Sequence, residues 1–223
     1  MKIIATVKND FPTKFGLPRQ GDAADFIKGE IVFEKSYRSL DFIRGLDGFS
    51  HIWVLWLFSD NPQSDAATVR PPLLGGNERK GVFATRSSFR PNGIGMTALK
   101  LEGIEHTADR GAVLKVSGCD MKSGTPIIDI KPYLPACDCI KNATSGFTKP
   151  LATANLTVKD PKNLLKTLPK DKAQELSAAL SQDPRPRYIT DQNRVFGFRF
   201  FDREVAFTTD GETVEIISIT KTK

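Results

Sequence analysis

Cysteine and histidine are scarce, with three Cys and two His in 223 residues. An odd, sparse cysteine count excludes a disulfide framework. Cys137-Asp138-Cys139 suggests zinc, but a structural site needs four ligands, and only Cys119, His51 and His106 are left to complete one. No metal is therefore expected, and the thiols are expected free and reduced. No apolar run approaches the roughly 20 residues a membrane-spanning helix needs, which excludes such a helix. The segment Met1–Lys8 also lacks the apolar stretch of a secretory signal, so a cytoplasmic protein is expected. Internal repeats and low-complexity tracts are missing as well. With 39% hydrophobic and 26% charged residues the chain is too apolar for disorder, and its length suits one sizeable domain or a medium domain with an appendage.

Charge of one sign is in modest excess overall, 32 basic against 26 acidic side chains, net +6. Its distribution is more informative. Residues 1–150 hold 20 basic and 16 acidic side chains, net +4. Residues 66–95 alone hold Arg70, Arg79, Lys80, Arg86 and Arg90 against Glu78, again net +4. A concentrated excess rich in arginine points to an anionic partner with planar groups, such as phosphate or bases, whereas a solvated basic loop is the plain alternative.

The first 135 residues read as short strands cut by Gly and Pro: 3–7, 30–33, 52–58, 81–85, 96–101, 113–116 and 126–130, with helical turns over 38–46 ending near Gly48. The seven apolar residues Ile52–Phe58 predict a strand buried on both faces. This pattern suggests a closed or nearly closed β-barrel over residues 1–140. Residues 136–150 form a boundary. Beyond it, 150–223 reads as a small α+β domain: a helix over 164–180 with apolar positions 173, 176, 179 and 180 on one face, then strands 195–201, 204–207 and 214–219 with an Asp210-Gly211 turn. The fold class is mainly β.

Gly93-Ile94-Gly95-Met96-Thr97-Ala98 spells the G-x-G-x-x-A dinucleotide string. That fingerprint requires a preceding strand and a following helix to hold pyrophosphate. Here Arg90-Pro91-Asn92 precedes it as a turn, and 96–102 alternates as a strand, so a Rossmann site is rejected. The surrounding segment 70–96 has another logic. Prolines 71, 72 and 91 stiffen two loops, glycines 75, 76, 93 and 95 permit close backbone approach, and Arg86, Arg90 and Asn92 are displayed between them.

The run G-V-F-A-T-R-S-x-F-R-P-N-x-I-G-M (81–96), with L-P-R-Q (17–20), G-L-x-x-F-S-H-x-W (45–53) and R-P-P-x-L-G-G-N (70–77), resembles the TrmO (YaeB/TsaA-like) family. So do D-x-x-x-G-T-P-x-x-D-I-K-P-Y-L-P (120–135) and Q-D-P-R-P-x-Y (182–188). The resemblance implies a β-barrel methyltransferase outside the Rossmann class. It would transfer a methyl group from S-adenosylmethionine to N6 of threonylcarbamoyladenosine at tRNA position 37, acting as a homodimer with an added C-terminal domain. An anticodon stem-loop, with unstacked bases and an anionic backbone, suits the arginine-rich segment.

The resemblance also assigns residues. Pro18, Arg19, Gln20, Phe58, Ser59, Arg86, Met96 and the turn Ser123-Gly124-Thr125-Pro126 would line the cofactor pocket; Ser59 and Ser123 stand where relatives carry histidine and aspartate. Such a ligand wants apolar walls (Phe58, Met96), backbone bonds at a turn (123–126, which could also be a plain hairpin turn) and an arginine for its carboxylate (Arg19 or Arg86). Arg70, Arg79, Lys80 and Arg90 fall on the RNA side, and Arg185, Arg187 and Tyr188 are typed for phosphate contact and stacking. The acceptor N6 bears a carbonyl substituent, so a polar group must accept or relay its proton. Asn92, Asp129 and Tyr133 are the candidates; Asp129 could instead pair with Arg86 or Lys131, and His51 reads as a hydrogen-bonded core histidine, with a base as the alternative. Two other functions fit the same charge pattern: a non-catalytic RNA-binding barrel of OB type, and a methyltransferase acting on a small molecule.

Overall fold

Among the described residues, twelve strands and two α-helices follow one another in chain order: β1 (Ala5–Lys8), β2 (Lys28–Phe33), β3 (His51–Leu57), β4 (Thr68–Val69), β5 (Lys80–Gly81), β6 (Ile94–Thr107), β7 (Gly111–Ser117), β8 (Pro126–Pro132), α1 (Pro135–Asp138), β9 (Thr157–Lys159), α2 (Lys170–Ser181), β10 (Phe196–Phe200), β11 (Arg203–Thr209) and β12 (Thr213–Lys221). The computed structural model describes residues 1–17, 26–71, 74, 77–148, 155–185, 191 and 194–222. Six strands close a barrel in the order β1-β2-β7-β6-β3-β8, as the short, turn-separated runs predicted. Closure leaves no open strand edge within that sheet.

Strand β3 shows how sequence becomes barrel. Ile52, Val54 and Trp56 are buried, while Trp53, Leu55 and Leu57 are only partly covered. The expected burial of both faces is thus corrected: an unbroken apolar run carries a one-sided pattern, because a barrel strand has one packed interior face and one exterior face. β3 pairs antiparallel with β6, setting Leu55 opposite Met96 and Trp56 opposite Gly95. On its other side it pairs with β8, setting Leu55 opposite Asp129, with a register shift between Leu55 and Trp56. That shift makes Ile128 an extra residue and breaks strict alternation beside Asp129.

The pairing also explains the rejected glycine string. A Cβ on Gly95 would lie 2.4 Å from the Trp56 indole, whose Nε1 donates to Thr97 Oγ1 at 3.1 Å. Gly95 is small so that an indole can lie on the strand, and has no pyrophosphate to approach. The expected strand over 81–85 is another correction. β5 ends at Gly81, and Val82–Ala84 form a 3-10 turn closed by bonds from Thr85 N and Thr85 Oγ1 to the Val82 carbonyl. A side chain that bonds its local backbone competes with the strand ladder.

The chain divides into two compact units. Residues 1–6, 31–115 and 125–152 make the first; 7–30, 116–124 and 153–223 make the second. In the second, β10-β11-β12-β9 form a four-stranded sheet in which β9 runs parallel to β12. β9 was not anticipated; at three residues it carries no periodicity of its own. The expected helix over 164–180 is two pieces, because Pro169 lies extended between a 3-10 turn (Leu164–Thr167) and α2. Leu176, Ala179 and Leu180 are buried on the expected face. Phe11 and Phe15, from before β2, pack with Phe196, Phe198 and Phe200 of β10. No helix among the described residues is long and apolar enough to cross a membrane.

Candidate active site

The outer wall of β6-β3-β8 gathers several of the residues singled out above. Met96, Leu55 and Asp129 stand in one cross-strand row. Met96 is 45% exposed on this wall. Asp129 accepts a hydrogen bond from the Ile130 amide at 2.9 Å, and its other oxygen pairs with Lys131 Nζ at 2.9 Å. The salt-bridge alternative for Asp129 is therefore realised on the Lys131 side, as an exposed pair of small energetic weight.

Tyr133 continues the same strand. Its amide donates to the His51 carbonyl at 3.0 Å, and its ring lies 5.5 Å from Trp53 and 6.2 Å from His51. His51 is exposed and shares a 2.9 Å contact between its Nδ1 and Ser50 Oγ. The expectation of a core histidine is corrected: His51 opens β3 at the barrel rim, where no packed interior reaches it. Asn92 lies two residues before β6, whose first residue Ile94 pairs with Leu57. Asn92 and Tyr133 thus flank opposite ends of β3, about 20 Å apart at roughly 3.3 Å per residue. Asp129, opposite Leu55, lies between them.

Phe58 and Ser59 follow directly after β3. The Phe58 amide donates to the Gly93 carbonyl at 2.8 Å, and its ring meets Trp56 edge-on at 4.4 Å. The basic segment is braced by its own contacts. Arg79 Nη1 donates to Thr68 Oγ1 at 2.8 Å, Lys80 pairs with Glu78 and lies 5.5 Å from the Phe147 ring centroid, and Arg90 Nη1 donates to the Thr85 carbonyl at 3.1 Å. Arg70 and Arg86 are exposed.

In the second unit, the turn before β8 is tied to the N-terminal segment. Asn9 Nδ2 donates to the Met121 carbonyl at 2.7 Å, while its Oδ1 accepts from Phe11 N at 3.0 Å. Ser123 N donates to Phe11 O and Gly124 N to Val7 O, both at 2.8 Å. Those two amides are already committed, and the Ser123 hydroxyl oxygen accepts from Asn9 N at 3.4 Å, so what Ser123 and Gly124 retain for a ligand is carbonyl oxygen and the Ser123 hydroxyl proton. Asn9 was missed by sequence reasoning, although an Asn followed two residues later by a bonded amide is a turn signal legible in Asn9-Asp10-Phe11. Arg185 is largely buried, its Nε donating to Asp183 Oδ2 at 3.0 Å, with Gly211 leaving room for its guanidinium. Pro18, Arg19, Gln20, Arg187 and Tyr188 lie outside the described residues.

Burial pushes the Cys119 thiol up to about 12, which keeps it protonated and inert, while Cys137 and Cys139 are exposed. Among the described residues no group of three or more His, Cys, Asp or Glu side chains is placed to hold a metal ion.

Comparison with known proteins agrees with this architecture. Residues 6–139 match the tRNA-methyltransferase O N-terminal domain, and residues 154–222 match the TrmO C-terminal domain. An Escherichia coli (strain K12) protein named tRNA (adenine(37)-N6)-methyltransferase is 38% identical over 192 residues, covering 83% of this chain and 81% of the relative. An Archaeoglobus fulgidus S-adenosyl-L-methionine-binding protein is 36% identical over 140 residues, 63% of this chain and 93% of that one. The crystal structure of TrmO from Pseudomonas aeruginosa superposes with a TM-score of 0.76 at 29% identity, over 98% of this chain and 97% of that one. With both family domains matched in order along nearly its whole length, the chain belongs to the tRNA-methyltransferase O family.

Proposed function

We propose that this chain is an S-adenosylmethionine-dependent tRNA methyltransferase that methylates N6 of threonylcarbamoyladenosine at position 37. The observation that carries the reading is the 38% identity, over most of both chains, to a relative named tRNA (adenine(37)-N6)-methyltransferase. A non-Rossmann barrel with a concentrated arginine segment supports it. Residues 1–140 carry methyl transfer and 150–223 the C-terminal domain; a homodimer and a cytoplasmic location belong to the same proposal through the family likeness.

S-adenosylmethionine supplies an electrophilic methyl group on a positively charged sulfur. The residues present suit such a ligand: the row of Met96 and Leu55 offers an apolar wall ending at the Asp129 carboxylate, and Arg86 offers a guanidinium for the amino-acid carboxylate. Phe58, Ser59, Thr125 and Pro126 are assigned to the same ligand, as are Pro18, Arg19 and Gln20. Ser123 and Gly124 serve it through oxygen atoms, since their amides are engaged. Methyl transfer to N6 is an in-line displacement at the methyl carbon, forming N–C as C–S breaks, and depends mostly on positioning. What the chain must add is an acceptor for the N6 proton, and Asn92, Asp129 and Tyr133 are the candidates. Asn92 and Tyr133 are too far apart within one chain to serve one proton, so variants separate them. Asp129→Asn, Tyr133→Phe and Asn92→Ala are therefore tested singly: the residue that takes the proton loses turnover by about 100-fold or more with cofactor affinity retained, and the others keep it. Normal turnover in both Asp129→Asn and Tyr133→Phe eliminates those two.

Arg70, Arg79, Lys80 and Arg90 are assigned to phosphate contact, with Arg185, Arg187 and Tyr188 contributed by the C-terminal domain. Nucleoside mass spectrometry of tRNA incubated with the protein and isotope-labelled S-adenosylmethionine tests the activity: label on threonylcarbamoyladenosine supports it, and label confined to small molecules or to none refutes it. Binding of tRNA should fall steeply with salt. Neutralising Arg70, Arg79 and Lys80 together should reduce the log–log salt slope by about 2–3, close to 0.9 for each lost phosphate contact.

A further inference from the structure

We infer that Phe83 is a stacking platform for an unpaired base of the RNA substrate, with Phe89 as its neighbour; the inference rests on the tRNA reading above. Phe83 is 81% exposed and Phe89 48% exposed, although both sit in a braced part of the chain. Residue Val82, immediately before Phe83, is buried and its amide donates to the Ala67 carbonyl at 2.9 Å. Thr85 closes the turn from the other side through both its amide and its hydroxyl. The brace continues: Ser87 N donates to Thr85 Oγ1, Phe89 N to Ser87 Oγ, and Arg90 Nη1 to the Thr85 carbonyl. A phenyl ring held out on so fixed a backbone adds almost nothing to folding, because its apolar area stays in water. Its backbone entropy cost is already met before any ligand arrives, which favours binding.

The chemistry around the ring selects the occupant. Within 66–95 the basic side chains Arg70, Arg79, Lys80, Arg86 and Arg90 face a single acid, Glu78. An apolar docking surface for another protein has a core depleted of charge. Aromatic rings interleaved with arginine, as in Phe83-x-x-Arg86-x-x-Phe89-Arg90, are the pattern that holds single-stranded nucleic acid, rings to bases and cations to phosphates. An anticodon loop presents such bases, and an enzyme working on one of them must take it out of its stack. Phe83 would then replace a neighbouring base as stacking partner while the target is exposed.

The test measures anisotropy of a labelled anticodon stem-loop RNA against the full-length protein, its Phe83→Ala, Phe83→Trp and Phe89→Ala variants, and sedimentation of each. Phe83→Ala is expected to weaken binding on the order of tenfold, with melting temperature, sedimentation and salt slope unchanged, because a ring is lost and no phosphate contact is. Phe83→Trp should retain affinity, and the added indole emission should be quenched as RNA is titrated in. Wild-type affinity in Phe83→Ala would overturn the inference. So would indole emission that follows protein concentration and ignores RNA, since a second copy of the chain would then cover the ring. Failure of the wild-type protein to bind the stem-loop at all would overturn the tRNA reading and this inference with it, whereas loss confined to the variants' folded state would show as a lowered melting temperature.

Discussion

Gly16→Ala should lower the stability of the protein by about 3–5 kcal/mol, read as a fall in the urea midpoint without a change of slope. Two effects act together. Gly16 has φ +99°, a conformation in which an L side chain is strained by roughly 1–2 kcal/mol. A Cβ there would also lie 2.3 Å from Cδ2 of Phe198 and within 2.8 Å of two further ring atoms. Phe198 cannot move aside: it is buried, stacked on Phe11 and met edge-on by Phe15 and Phe207. Overpacking of this kind costs about 1–3 kcal/mol, and more where neighbours are fixed. Gly103→Ala in β6 is the control, since nothing lies within 4 Å of its Cβ position and its φ is ordinary. It should be neutral within about 0.5 kcal/mol. Equal midpoints for the two variants would show that the aromatic cluster of Phe11, Phe15 and Phe198 is loose.

That cluster illustrates what can and cannot be read from one sequence. The strands were legible because their evidence is local: Ile52–Phe58 is long, apolar and bounded by turns, and 96–102 alternates. Which face of β3 is packed was not legible, since Trp53 and Leu55 are as apolar as Ile52 and Val54; only barrel closure separates inside from outside. The same closure explains Gly95, whose partner Trp56 is 39 positions away and is identified by register alone. The 3-10 turn at 82–84 was misread as strand because V-F-A has strand-like residues, and the Thr85 hydroxyl that bends it is a single side chain. Gly16 reads as an ordinary turn glycine; its ring contact lies 182 positions on.

The candidate site divides along the same line. Its composition was visible, because arginines, prolines and glycines crowd residues 70–96 and the motifs are contiguous in sequence. Its geometry was not. Nothing local shows that the Ser123 and Gly124 amides are already bonded to Phe11 and Val7, or that Asn92 and Tyr133 stand at opposite ends of a strand. Nor does the sequence show which cations are held. Arg185, typed for phosphate, is half of a part-buried pair with Asp183, and Arg90 is anchored to the Thr85 carbonyl. Arg70, by contrast, is exposed at the end of β4.

Glu175→Gln should make the protein more stable at pH 8 by up to about 3 kcal/mol and flatten its stability between pH 5 and 8. In sequence Glu175 looks like a surface helix residue among Lys170, Asp171, Lys172 and Gln174. In the fold it is 5% exposed, and its Oε1 has no hydrogen-bond partner among the described residues. Burial, reinforced by the Asp10 charge, pushes its carboxyl up to about 7 from an ordinary 4.5. Lys172 offsets this only in part. Burial draws the lysine down, but the hydrogen bond and charge of Asp10 hold it above its ordinary range, and Lys172 sits closer to Asp10 than to Glu175, whose Oε2 is 3.6 Å away. The folded state therefore prefers the protonated acid. A raised carboxyl favours the folded state fully below about pH 4.5, and that contribution disappears as pH rises through about 7. Wild-type stability should fall across this window, by at most the ~3 kcal/mol that a shift of about two and a half units represents. Gln cannot ionise, so the variant should match the wild type near pH 4.5 and exceed it above pH 7. Urea unfolding of both proteins at pH 5, 6, 7 and 8 measures the difference directly. Parallel curves would mean that Lys172 compensates Glu175 fully, and that the Asp10–Lys172–Glu175 group is fully ionised, net −1, with Glu175 no readier to take a proton folded than unfolded.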